Sequence, residues 1–271
     1  MNDTSGGTTI RVAAAQLPPS CRLSENLSTV LTYLGKAAAE GVELLCFPET
    51  HLTGYRVGML ETDAPCDDAG LARAIECISA TCAQLRIGAI VGTETPNFGA
   101  KPFNSAVAIN ADGVILATHH KSRLTPKDAL AYTPGSGPTS FTFRDIPMGL
   151  VICFEGFRFP ETTRQLARGG AKIVFHPQFN HVLPGMEWKQ PVQEALIVAR
   201  AAENGIFFVS ANMCHPRNNC RSLIVGPDGL ILRASELAQE TLLIADLDTS
   251  LATRAFLGDD PMALMKALAE A

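Results

Sequence analysis

No stretch of this chain approaches the ~20 consecutive apolar residues that a membrane-spanning helix needs. Nor is there a block of like charge: 22 basic residues stand against 27 acidic ones, a formal net charge of −5. That balance argues against a nucleic acid or an anionic membrane as the main partner. Charge of either sign is scarce, at 18% of residues, against the usual quarter, so much of the polar surface is buried or uncharged. Residues 1–9 are polar and glycine-rich, without the basic and apolar segments of a signal peptide. Eight cysteines in 271 residues are too sparse for a disulfide framework, and most sit in apolar patterns, as reduced thiols of a cytoplasmic protein do. No Pro/Ser linker, repeat array or low-complexity tract divides the chain. With 46% apolar residues, the expectation is a soluble, cytoplasmic, single-domain protein over 1–271, with its core at 10–246 and a tail at 247–271.

What is present is an alternation of short apolar runs with helical patterns. Ile10–Ala15 is β-leaning. Ser24 sits where an N-cap belongs, ahead of Leu27, Leu31 and Leu34 at helical spacing, with Gly41 as a stop. Val42–Phe47 has the composition of a buried strand, and Asp67-Asp68 open a helix carrying Leu71, Ile75, Ile78 and Cys82 on one face. Ile87–Gly92 follows as a strand. Phe103–Ile109 and Val114–His119 then flank an Asp112-Gly113 turn as a hairpin. The second half repeats the grammar: strand Gly149–Cys153, helix Pro160–Arg168, strand Ala171–Phe175, helix Glu187–Asn204, strand Ile206–Ser210. A second hairpin, Ser222–Val225 with Leu230–Arg233, echoes the first, and Gly113 and Gly229 lie 116 positions apart (229 − 113). Two related α/β halves are therefore expected, with apolar sheets covered by helices.

In α/β sheets, functional groups gather beyond the carboxyl ends of strands. Three such ends carry chemistry: Glu49 in LLCFPETHLTGY, Lys121 in THHKSRLTP and Cys153 in GLVICFEGFRFPE. Singly, each has an ordinary alternative: a capping carboxylate, a solvated lysine, a buried core thiol. Together they suit nucleophilic catalysis. A thiol must lose its proton to attack; a carboxylate can take it, and an ammonium can stabilise the charge that forms.

In these stretches the chain resembles the nitrilase, or carbon–nitrogen hydrolase, superfamily. FPETHLTGY, HHKSRLTP with YTPG, and ICFEGFRFPE carry the resemblance, supported by AAAQL, GAKIVFHP, ARAAENG and SLIVGPDG, in consistent order from Arg11 to Asp246. It implies a four-layer αββα sandwich and a Glu–Lys–Cys triad of Glu49, Lys121 and Cys153. Glu49 would be the general base, and Lys121 with the backbone N–H of Phe154 would hold the oxyanion. Turnover would pass through a thioester, with no metal or organic cofactor. It also implies a homodimer or higher homo-oligomer built through outer helices, namely the helix after Pro160 and the segment Glu187–Asn204.

The chain departs from the family pattern in two places. Where many members carry a second Glu, the register from Pro134-Gly135 puts Asp128, which otherwise is a solvated turn residue after Lys127. True nitrilases usually have Trp-Glu after the nucleophile, and here Phe154-Glu155-Gly156 stands, which favours amides over nitriles. Glu155 and Arg158 are expected to pair or to orient the site. Gln178 and Phe179 are the candidate substrate contacts, and Tyr55 and Trp188 the candidate entrance residues.

Other chemistries fare worse. Cys214 and His215 are adjacent in a loop and lack papain-like flanks. His119 and His120 alternate along one strand, so at most one faces the site. Cys77 and Cys82 lack the Cys-x-x-Cys spacing of zinc sites and are expected in the core. Gly135-Ser136-Gly137 is not the elbow of a serine hydrolase, and neither a P-loop nor a dinucleotide fingerprint is present. The leading expectation is a hydrolase of a small linear amide or N-carbamoyl compound. A nitrilase is the nearest variant, and a catalytically silent binding or assembly subunit is the competing class. With Ala271 as the last residue, an appended synthetase domain and a glutamine-fed ammonia-donor role are not expected.

Overall fold

Thr9–Gln16, free of proline and glycine, runs as strand β1, and its successive side chains take opposite faces. Ile10, Val12 and Ala14 join one buried cluster while Ala13 and Ala15 join another. A strand with a core on both sides must be apolar where both faces are covered, as Val12–Ala15 is, while Arg11 lies exposed towards its start. The computed structural model describes residues 8–57, 67–180, 184–258 and 265. It contains two six-stranded sheets.

The first sheet joins β1 to β2 (Leu44–Cys46), β3 (Gly88–Thr95), β4 (Phe103–Ile109) and β5 (Ile115–His120). The second holds β6 (Thr139–Phe143), β7 (Ile146–Leu150), β8 (Ile173–Pro177), β9 (Phe207–Ala211), β10 (Leu223–Val225) and β11 (Ile231–Ala234). A last strand, β12 (Thr241–Asp248), returns to pair with the full length of β1, Thr9 opposite Asp248 and Gln16 opposite Thr241. The orders are β12-β1-β2-β3-β4-β5 and β11-β10-β9-β8-β7-β6. From β12 and from β6 the pairings run alike: antiparallel, parallel, parallel, antiparallel, antiparallel. The two halves are thus the same sheet built twice. They differ in where the edge strand comes from: β6 precedes its partner, whereas β12 arrives from the far end of the chain.

Helices α1 (Leu23–Ala39) and α2 (Asp68–Leu85) pack Val30, Leu34, Ala37, Ala74 and Ile78 on the outer face of the first sheet. After the short α3 (Asp128–Ala131) and α4 (Phe154–Arg158), α5 (Pro160–Arg168) and α6 (Lys189–Ala202) flank the second with Leu166, Ala167, Ile197 and Ala201. Ile10, Val12 and Ile90 of one sheet share a cluster with Leu150, Phe175 and Val209 of the other. This is the αββα layering expected from the sequence. No helix among the described residues is long and apolar enough to cross a membrane.

Several local expectations are corrected. α1 starts at Leu23, with Arg22 rather than Ser24 in the cap position; the Ser20 hydroxyl accepts from Arg22 N–H and donates to Glu25, fixing the entry two residues earlier. Asp67 does cap α2, accepting from Ala69 and Gly70. Cys77 is exposed while Cys82 is buried, because five residues turn a helix by about 140° net. The β6–β7 hairpin was not expected: its turn is Arg144-Asp145, both with left-handed φ (50° and 62°), and neither is the glycine that signals such a turn. The core extends to Asp248 rather than 246. Most of the expected tail, and residues 1–7, lie outside the described residues.

Candidate active site

The carboxyl ends of β2, β5 and β7 converge. Beyond β2, Phe47 still donates to Ile90, and Pro48 then frees the chain from the ladder, so Glu49 turns inward, 1% exposed. Gly92 of β3 makes this exit fit: a Cβ there would lie 2.0 Å from the Pro48 carbonyl oxygen and 2.9 Å from Glu49 Cα. Lys121 follows β5 directly, tied by its N–H to Asn104 and by its carbonyl to Gly135 N–H. Its ammonium is fully buried, 2.6 Å from Glu49 Oε1 and 2.8 Å from Asp128 Oδ2. Glu49 also accepts from Asn104 Nδ2 (2.7 Å) and from Phe179 N–H (2.8 Å). Asp128 accepts from Thr125 N–H and from the Tyr55 hydroxyl. Every carboxylate oxygen around the ammonium has a donor, as burial of charge requires.

Past Leu150 the chain keeps bonding along β8, Val151 N–H to Phe175 O and Cys153 N–H to Pro177 O. The ladder expected to continue to Cys153 as strand ends at Leu150. At Cys153 the backbone turns sharply, with φ 45° and ψ −105°, into α4. A non-glycine residue held there is strained, a state that persists only where surrounding contacts impose it. Those contacts are visible. His176 Nε2 donates to the Cys153 carbonyl at 2.8 Å, and Glu155 accepts from Ile152 N–H on one side and from Ser122 N–H and hydroxyl on the other. Glu155 so braces the Lys121 segment against the Cys153 segment. Gly156 leaves room for His176, since a Cβ there would sit 2.7 Å from Nε2. The Cys153 thiol, 8% exposed, lies 4.0 Å from the Phe179 carbonyl oxygen, on the same residue whose N–H holds Glu49.

Burial pushes the Cys153 thiol well above its ordinary pKa; the Glu49 charge adds to this and Lys121 only partly offsets it. The resting thiol is therefore protonated. Burial also raises Glu49, against the pull of Lys121. For Asp128 burial acts upward too, but Lys121 and the hydrogen bonds outweigh it and the group is held low. Burial would lower Lys121, and the surrounding negative charges overcome this and raise it. Glu155 is held at about 2, because His119 and the donors around it outweigh burial. Burial takes His176 down to about 4, so it is neutral; with Nε2–H committed to Cys153, its Nδ1 accepts the Ser210 hydroxyl.

A cavity of about 470 Å³ opens over Cys153, lined among others by Tyr55, Phe154, Phe157 and Phe179. Of the sequence candidates, the structure brings together Glu49, Lys121, Asp128 and Cys153, with Phe154 N–H the first of α4 and Tyr55 and Phe179 on the cavity wall. Asp128 is no solvated turn residue. Gln178 does not line the cavity: fully buried, its amide donates to Ser210 and lies 3.7 Å from Cys220 Sγ. Trp188 is 55% exposed and lies off the cavity, which its neighbours Met186 and Lys189 line instead. Glu155 and Arg158 do not pair, since Glu155 faces the buried His119 while Arg158 is exposed. His120 turns the other way, to Ser105. Cys214 is outside the site; its loop docks on Leu17, and His215 caps Arg217 N–H. Sequence reasoning missed Asn104 and Gln193, polar residues within a strand and a helix that nothing local distinguishes, and did not single out Asn180 at the end of the segment it took for substrate contacts.

A family model described as carbon–nitrogen hydrolase matches residues 11–255. An (R)-stereoselective amidase of Pseudomonas sp. is 29% identical over 215 residues, covering 79% of this chain and 70% of its own. A chloroplastic omega-amidase of Arabidopsis thaliana is 25% identical over 264 residues, covering 90% and 69%. In fold, the chain is similar to the amidase from Nesterenkonia sp., with a TM-score of 0.80, 24% identity and 97% of both chains covered. A mutant of that amidase, with covalent addition of the acetamide moiety of fluoroacetamide at its active-site cysteine, superposes with a TM-score of 0.81 at 24% identity over 97% of each chain.

Proposed function

From the premise that this chain belongs to the carbon–nitrogen hydrolase family, we propose that it hydrolyses small linear amides or N-carbamoyl compounds through a thioester on Cys153. The observation that carries this reading is the buried Lys121 ammonium, held between Glu49 and Asp128 and close enough to Cys153 to shift its titration. A protonated thiol beside a carboxylate of raised pKa suits a base that acts when substrate arrives rather than a standing thiolate.

In the first half-reaction Glu49 takes the thiol proton as Cys153 Sγ bonds to the carbonyl carbon. Lys121 and the Phe154 N–H stabilise the oxyanion, each such donor being worth about 3–4 kcal/mol. Collapse breaks the C–N bond, and Glu49 returns the proton to the leaving ammonia or amine. Water then attacks the thioester with Glu49 again as base, releasing the acid and the thiol. Asp128 acts through Lys121: by balancing its charge it leaves Glu49 free to accept a proton. Tyr55 and Phe179 form the substrate wall.

The test is ammonia release from matched panels of amides, N-carbamoyl compounds and nitriles, with intact mass spectrometry for the acyl group on Cys153. Turnover of amides above nitriles, with a trapped acyl adduct, is expected. A protein that releases no ammonia from any of them, and whose Cys153 resists alkylation, is a binding subunit instead.

The proposed homodimer is best supported by α6. Its outer side exposes Pro191, Val192 and Ala195, whereas α5 presents Glu161, Gln165 and Arg168 to solvent, against the expectation of few charges there. Light scattering at micromolar concentration should give twice the 28.9 kDa chain mass; a monodisperse monomer contradicts it.

A further inference from the structure

Asn104 lies in β4 on the same face as Ala106 and Ala108, which belong to the cluster between the two sheets. It is fully buried. On that apolar face its amide Nδ2 donates to Glu49 Oε1 at 2.7 Å, while Oδ1 has no partner among the described residues. A buried acceptor left unsatisfied costs free energy. An apolar side chain would meet the same neighbours without that cost, so the reason for an amide lies at Glu49. Asn104 also ties the cation, since its carbonyl oxygen accepts from Lys121 N–H at 2.8 Å. That bond belongs to the backbone, and any residue would supply it.

The two oxygens of Glu49 are held unequally. Oε1 takes Lys121 Nζ at 2.6 Å and Asn104 Nδ2 at 2.7 Å, whereas among the described residues Oε2 takes Phe179 N–H alone, at 2.8 Å. A carboxylate oxygen has about two lone-pair sites, so Oε1 is full and Oε2 keeps one open. The Phe179 carbonyl oxygen is 4.0 Å from Cys153 Sγ, so Oε2 and Sγ flank the same residue. The titratable groups facing Glu49 are Lys121, Asp128, Cys153, Tyr55 and Tyr132. Asn104 adds a neutral donor to this set. It draws the Glu49 pKa down against burial without a second cation, which would hold the proton off the base. Asn104 is not among the residues lining the cavity, so it acts through Glu49.

We infer that Asn104 is a positioning residue for the base: by holding Oε1 beside Lys121 it turns Oε2 towards Cys153 Sγ and makes Oε2 the oxygen through which the proton moves. This deepens, and rests on, the amide-hydrolase reading of Cys153. As Sγ bonds to the carbonyl carbon, the thiol proton passes to Oε2 and the carbonyl π electrons go to the oxyanion. As the C–N bond breaks, the proton leaves Oε2 for the departing nitrogen. Oε1 keeps both donors throughout, so the carboxylate need not rotate between the two transfers, and its orientation is set before substrate arrives.

The test compares Asn104→Leu and Asn104→Asp with wild type from pH 5 to pH 8. It reads kcat and KM for butyramide, and the rate at which iodoacetamide alkylates Cys153, followed by mass spectrometry of the Cys153 peptide. Leucine removes the donor, so the acid limb of kcat/KM should move up by about one pH unit. Its deficit, about tenfold at pH 5, should shrink towards pH 8. Aspartate donates only while protonated, and the facing Glu49 charge raises its pKa. Its deficit should be smallest at pH 5 and grow to about tenfold or more at pH 8. Both losses fall on kcat, with KM unchanged. Asn104→Leu should melt within a few degrees of wild type, because the unpaired acceptor leaves with the donor. The isosteric aspartate variant carries the test should leucine unfold the chain. Deficits equal at both pH values, moving in the same sense in both variants, or confined to KM overturn the role of Asn104; where ammonia is still released, the hydrolase reading stands. Opposed pH trends in alkylation, with no ammonia from butyramide or any amide of the panel, support Asn104 and overturn the hydrolase reading. A Cys153 that neither alkylates nor turns over an amide overturns both.

Discussion

Cys153→Ala is expected to abolish amide turnover, lowering kcat by about 10⁴-fold or more, as loss of a covalent nucleophile does. The loss should be chemical rather than structural. Alanine keeps the Cβ at the strained φ of 45°, so the backbone contacts from His176 and Glu155 are unchanged. One sulfur leaves the floor of an open cavity, where no void is sealed, and a stability change of about 1 kcal/mol or less is anticipated. Single-turnover ammonia release together with a thermal melt separates the two effects. Cys214→Ala is the control, because that thiol lies outside the cavity and should retain full activity. Full activity in Cys153→Ala, or loss in Cys214→Ala with the fold intact, would assign the nucleophile elsewhere.

Lys121→Met should damage both rate and stability. The methionine fills the same buried volume but leaves Glu49 and Asp128, which now share one ammonium, without a counter-charge. Breaking a buried ion pair in this way costs about 3–5 kcal/mol, on the order of 10 °C in melting temperature. The rate loss should be about 10²–10³ and fall on kcat, because the oxyanion that Lys121 meets exists only in the transition state. The stability loss carries a pH signature. With the ammonium gone, at least one carboxyl group of the native state is raised further above its unfolded value of about 4. The native state then keeps a proton that the unfolded chain releases, so stability is greatest at acid pH and is lost as pH rises towards the raised native pKa. The melting deficit relative to wild type should be larger at pH 8 than at pH 5. An equal deficit at both values, with kcat unchanged, would mean that Lys121 is merely a buried tether.

The three strand ends were legible because their signals are local. Pro48 after Leu44–Cys46 marks where β2 stops, the end of the apolar run at Cys153 lies just past the end of β7, and the Asp112-Gly113 turn sets the start of the strand that runs up to Lys121. Residues that stop a strand of a covered sheet stand at its carboxyl edge. Asp128 was only half legible. The sequence offers a turn acid seven residues after Lys121, and it takes the Tyr55 hydroxyl, 73 residues upstream, to complete its buried setting. Gln178 shows the same limit in reverse. Its position beyond β8 is right for a substrate contact, but Ser210 and Cys220, on other segments, draw its amide away from the cavity. The Arg144-Asp145 turn was illegible because left-handed backbone at non-glycine residues is imposed by the strands that pair across it.

By itself the sequence determined the alternation of strands and helices, the doubled hairpin grammar and the placing of a carboxylate, an ammonium and a thiol at three strand ends. These follow from apolar periodicity, turn chemistry and chain-breaking residues, all of which act over a few positions. Only the tertiary structure decided that β12 closes the first sheet against β1, that Phe179 hands its N–H to Glu49 across 130 residues, and that Asn104 turns its amide to the same carboxylate across 55. Those choices depend on which buried polar groups can satisfy one another once the two sheets pack. Desolvation makes an unpaired charge or amide costly, so partners are selected by proximity in the packed core rather than by spacing along the chain.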